Sequence, residues 1–194
     1  MLSAQRFSLQ VFTALCLALV LAATGSLSAQ ARQASTAGEG RGKMAFTLRS
    51  SAVTDGMTIP RRHTCDGLDL SPDLVWSGQP EGTKSFVLVV DDPDAPGGTF
   101  VHWVLFDIAA TAKGLPEGPL AAKSGLAGMN DFGKPAWGGP CPPRGKGPHR
   151  YFFKLHALDI PTLNVRPGAS LFQIEKVIKG HVLATAQLMG RYGR

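Results

Sequence analysis

Two short stretches of this chain hold the residue types that could bind or transform a small polar molecule. Asp91-Asp92-Pro93-Asp94-Ala95-Pro96 is followed closely by His102-Trp103, and Gly138-Gly139-Pro140-Cys141-Pro142-Pro143 by His149-Arg150-Tyr151. Proline fixes φ, so closely spaced prolines set the shape of a loop before any ligand arrives. One stiff loop with carboxylates and another leading into a histidine would make a preorganised polar pocket if they met in space. Two imidazoles, a phenol and backbone amides at Gly138 and Gly139 would suit a phosphate or carboxylate group with no metal needed.

Each of these residues also has a plain structural role to set against the chemical one. Asp92 can cap an Asx turn, and Asp94 fits best as a stiffener inside its own loop. Strict alternation along a strand places His102 and Trp103 on opposite faces, one packed inward and the other facing out or into a cleft. It also puts His149 and Tyr151 on one face and Arg150 on the other, paired with a carboxylate such as Asp92 or Asp94. A catalytic alternative would use Asp92 with His102 or His149 as an acid–base pair. No Gly-x-Ser-x-Gly turn supports it, and Cys141 is the one candidate thiol. His102, His149 and a cysteine are zinc-ligand types, but their spacing fits no zinc motif, so neither a metal nor another cofactor is expected.

The elements that must position these groups are mostly strands. Met44 to Leu48 alternates, and Ser85–Asp91, Phe100–Ile108 and Tyr151–Leu158 are β-rich apolar runs bounded by turn residues. The first of these runs could be buried on both faces. The clearest helix follows Pro167-Gly168, where Ser170 and Gln173 form a capping box. Leu171, Ile174, Val177 and Ile178 then share one face and Gly180 ends it. Val182–Met189 reads as a closing strand. The expected fold is mainly β: an antiparallel β-sandwich with peripheral helices.

Arg6, the apolar run Val11–Ala23 and the small residues up to Ala31 have the order of a secretory signal, so residues 1–31 are expected to be cleaved on export. Residues 32–43 are a flexible tether by composition, and 44–194 a single domain. The apolar run is too short for a permanent membrane span. Loss of Arg6 lowers the formal charge of +6 by one. The remaining cations form no run, so nucleic acid is not an expected partner. Export to the periplasm or beyond meets an oxidising compartment, where Cys65 and Cys141 are expected to pair.

The quoted motifs resemble the two signature blocks of the phosphatidylethanolamine-binding protein family, closest to its bacterial Raf-kinase-inhibitor-like branch. The resemblance runs from about Thr47 to Tyr192 through Cys65-Asp66-Gly67, Ser71-Pro72, Asn130-Asp131-Phe132-Gly133 and Ala157-Leu158-Asp159. It implies an antiparallel β-sandwich and a site for phosphate-like head groups. Asp92, His102, His149 and Tyr151 would line that site, with Gly139, Cys141 and Pro143 as its backbone wall. It also implies cis peptides before Pro96 and Pro143. Trp137 and His156 stand where tyrosine is usual, and no counterpart of the eukaryotic C-terminal lid helix is evident. The expected function is a non-catalytic binder of a small anion, with regulation of a partner protein or inhibition of an extracytoplasmic protease through the proline loops as further readings.

Overall fold

A computed structural model describes residues 44–194, so the expected signal (1–31) and the expected tether (32–43) lie outside the described residues. At the centre is β3 (Ser85–Asp92), whose eight residues are all buried. Phe86, Leu88 and Val90 face one apolar cluster and Val87 and Val89 another. Such a run is stable only with neighbours on both edges and a layer on each face. It pairs with β4 (Phe100–Ala109) on one side and β7 (His149–Leu158) on the other. A short β6 (Leu126–Ala127) and a long β8 (Val182–Tyr192) complete a sheet ordered β6-β4-β3-β7-β8.

The layer over the inner face is a three-stranded sheet of β1 (Thr47–Arg49), β2 (Leu74–Ser77) and β5 (Gly114–Leu115), in the order β1-β2-β5. Leu48, Leu74, Trp76 and Leu115 from it join Phe86, Trp103, Phe153 and Leu155 in one core. Every strand pairing in both sheets is antiparallel. The outer face is covered by α1 (Leu171–Ile178), which buries Ile174 and Ile178 against Val87, Val104 and Phe106. Each large apolar side chain so buried stabilises by about 1.5–3 kcal/mol. The expected capping box is formed, Ser170 accepting from the Gln173 amide and Gln173 reaching back to the Ser170 amide. The closing strand runs past Met189 to Tyr192.

Two local expectations are corrected. No peptide bond among the described residues is cis, including those before Pro96 and Pro143. The first loop turns instead through the Asp92 carboxylate, the Gly98 amide donating to the Ala95 carbonyl, and a positive φ at Gly98. Strict alternation also fails in β4. Val90 pairs with Trp103 and Asp91 with Val101, so His102 is an extra residue opposite no partner. This bulge lets both His102 and Trp103 be buried, the first against Tyr151 and the second against Trp137.

Candidate functional site

The two proline loops meet at the end of the large sheet. Asp92, His102, Cys141, Pro143, His149 and Tyr151 line one hollow of about 240 Å³, together with Ala95, Pro96, Phe100, Phe132 and Pro142. Asp92 is the last residue of β3 and His149 the first of β7, so pairing of these central strands brings their ends together. Asp92 fills both roles weighed for it, one per oxygen. Its Oδ1 accepts the Asp94 amide at 2.8 Å, closing the turn, and its Oδ2 accepts from His149 Nδ1 at 2.7 Å. Both side chains are buried.

Alternation holds in β7, where His149 and Tyr151 face the hollow and Arg150 is exposed. Arg150 forks onto Asp94, Nε to Oδ2 at 2.8 Å and Nη2 to Oδ1 at 2.6 Å, and its amide adds a third bond at 2.9 Å. Asp94 therefore ties its loop to the next strand rather than stiffening it from within. The guanidinium holds its carboxyl down at about 2.

His102 is oriented by a backbone clamp. Its Nδ1 lies 2.6 Å from the Gly138 carbonyl, and the Gly138 amide returns to the His102 carbonyl at 3.1 Å. A carbonyl only accepts, so Nδ1 carries the hydrogen. Burial holds this imidazole below its usual range, outweighing the Gly138 carbonyl and the charge of Asp92. Asn130 fixes the loop behind, donating to the Ala136 carbonyl at 2.8 Å and accepting the Lys134 amide at 2.9 Å. The next loop residue but one, Phe132, sets its ring edge-on to His102 and Phe100.

The expected glycine wall is corrected. The Gly139 amide is taken by Asp69 Oδ1 at 2.7 Å, and Gly139 lines a neighbouring hollow instead. With Gly138 spent on His102, neither glycine amide is open to a ligand. These glycines serve close packing: a Cβ at 138 would strike the Phe132 ring, and one at 139 the Asp69 carboxylate and the His63 carbonyl. The remaining wall is held by a disulfide between Cys65 and Cys141, Cα atoms 5.4 Å apart. Arg194 Nε donates to the Pro142 carbonyl at 2.7 Å, and Asp66 accepts from Arg194 Nη1 at 3.2 Å and from Tyr192 Oη at 2.8 Å.

Sequence reasoning missed Phe100, Phe132, Ala95, Pro96 and Pro142. The prolines lay inside the quoted motifs. Phe132 stands thirty positions from His102, and only the Asn130-Asp131-Phe132-Gly133 stretch hinted at it. Among the described residues no cluster of metal-ligating side chains occurs.

One hydroxyl stands out: Tyr151 Oη is buried beside the Asp92 carboxylate and makes no well-formed hydrogen bond. Burial, then the Asp92 charge, pushes the phenol well above its usual range, so it stays a donor.

A family model described as phosphatidylethanolamine-binding protein matches residues 49–193. The chain belongs to this family. It is 50% identical to the UPF0098 protein of Aquifex aeolicus over 148 residues, 75% of this chain and 86% of that one. A UPF0098 protein of Pyrococcus horikoshii is 44% identical over 165 residues, 81% of each chain. Among solved structures, Escherichia coli YbcL, described as a new member of the mammalian family, superposes with a TM-score of 0.72 at 36% identity, over 77% of this chain and 98% of that one. The Chlamydia trachomatis homologue CT736 gives 0.72 at 35%, with the same coverage. The antiparallel, mainly β fold is thus shared with solved members of the family.

Proposed function

We propose that the protein is a non-catalytic binder of a small phosphate-like anion, held in the hollow between the two proline loops. The observation that carries this reading is Tyr151 Oη, a buried donor that faces the hollow beside the Asp92 carboxylate and makes no well-formed hydrogen bond within the protein. An unpaired buried hydroxyl costs about 1–3 kcal/mol, which a ligand oxygen would remove. His102 and His149 line the same hollow, and each spends Nδ1 on the protein, so Nε2 is the nitrogen left for a ligand. The hollow is walled by prolines and aromatic rings, so little ordering accompanies binding. No Ser or Thr lines it, and its one cysteine is bridged, which favours binding over covalent chemistry. The bridge also supports an oxidising compartment and hence export.

Phosphate binds the native state only, so it should raise the melting temperature in proportion to the logarithm of its concentration above Kd. Differential scanning fluorimetry with phosphate, carboxylates and phosphorylethanolamine measures this. His149→Ala should abolish the shift. A flat response of the wild-type protein to the whole panel would sink the reading.

A further inference from the structure

The hollow is built for an anion yet offers almost no positive charge. No Lys or Arg lines it. Arg150 and Arg144, each next in sequence to a lining residue, are paired with Asp94 and Asp66. Pro96, Pro142 and Pro143 have no amide hydrogen, and the amides of Gly138 and Gly139 are taken. The acceptors are plentiful. The Asp92 carboxylate holds the His149 Nδ1 hydrogen and the Gly138 carbonyl holds that of His102, so either ring, when it carries one hydrogen, presents Nε2 as a lone pair. Tyr151 Oη supplies one hydrogen. A fully ionised oxyanion would meet two lone pairs and a carboxylate.

Resting on the anion-binding reading, we infer that the site selects an oxyanion that carries its own hydrogen: hydrogen phosphate is accepted and sulfate refused. The ligand O–H donates to a histidine Nε2 while Tyr151 donates to a bare phosphate oxygen. Sulfate, with no hydrogen to give, forces a histidine to take a proton from water first. Burial opposes that at His102. The charged groups around the rings are Asp92 and Asp94 after β3, Arg150 forked onto Asp94, Asp131 behind His102, and Arg194 beyond Tyr151. Arg150 offsets Asp94, which leaves Asp92 and Asp131 as the acids nearest the rings; they favour protons in the hollow and disfavour bare anions.

Calorimetric titration of the protein with sodium phosphate and sodium sulfate, at matched ionic strength, tests this. At about pH 7.5 phosphate should bind at least about tenfold tighter, the cost of one unmade buried hydrogen bond. Towards pH 5.5 or so the histidines charge more readily, and the gap should narrow. A phosphomonoester, whose last proton leaves near about pH 6, should fall between the two at the higher pH and approach phosphate at the lower. That arm separates free phosphate from an esterified head group as the preferred source. Equal affinity for phosphate and sulfate at the higher pH would overturn the selectivity and leave anion binding standing. No heat with either ion would remove the anion reading itself.

Discussion

Tyr151 and His102 touch ring to ring, 5.1 Å between centroids, yet substitution should separate binding from stability differently at each. Tyr151→Phe deletes an oxygen that makes no well-formed hydrogen bond, so unfolding free energy should stay level or rise by up to about 1 kcal/mol. The same variant should lose most of the phosphate-induced thermal shift, and scanning fluorimetry reads both. His102 is held below its usual range by burial, so the unfolded chain takes up a proton there more readily than the native one. Stability should therefore fall as pH drops through about 6.5 and level off once the native ring also charges. His156, depressed by its own burial, adds a loss of the same sign. Urea midpoints between about pH 8 and pH 5 should thus decline in the wild type and decline less in His102→Asn. The types of these site residues were plain in the sequence, whereas the states of their partners were not. Nothing in Gly138-Gly139 announces that both amides are consumed, because Asp69 and the His102 carbonyl meet them only through tertiary contact.

At the scale of elements, α1 was fully legible because its signals are local: a Ser–Gln capping box, a 3.6-residue apolar stripe and a glycine stop. Ser170→Ala should cost about 1 kcal/mol in chemical denaturation without altering phosphate affinity. The long strands were legible from their apolar runs. β2 and β5, with four and two residues, were not, since a period-two pattern needs more length to show. The bulge at His102 left no trace either: it arises from a register step between two strands, and a single strand's residues do not encode it. Gly139 marks another place where the residue type was plain and its surroundings were not. Gly139→Ala should destabilise by about 1–3 kcal/mol, because the added methyl collides with Asp69 and the His63 carbonyl. Denaturant midpoints check it.

Across the whole molecule, the Cys65–Cys141 bridge spans 76 positions and ties the segment before β2 to the wall of the hollow. Chain-entropy arguments put its contribution at about 4 kcal/mol, so the Cys65→Ser, Cys141→Ser double variant should melt well below the wild type. Calorimetry under non-reducing conditions measures the difference. The two-sheet architecture followed from β-rich runs and turn residues, and the resemblance in the motifs anticipated the family that the matched region shows. One feature at the edge of β4 bears on how such a molecule can change. Because His102 sits opposite no partner in the ladder, the backbone pairing on either side is indifferent to its identity. The ladder thus leaves that position to the contacts of the hollow, the Gly138 carbonyl and the Tyr151 and Phe132 rings, so a replacement there tests those contacts and leaves the strand register alone.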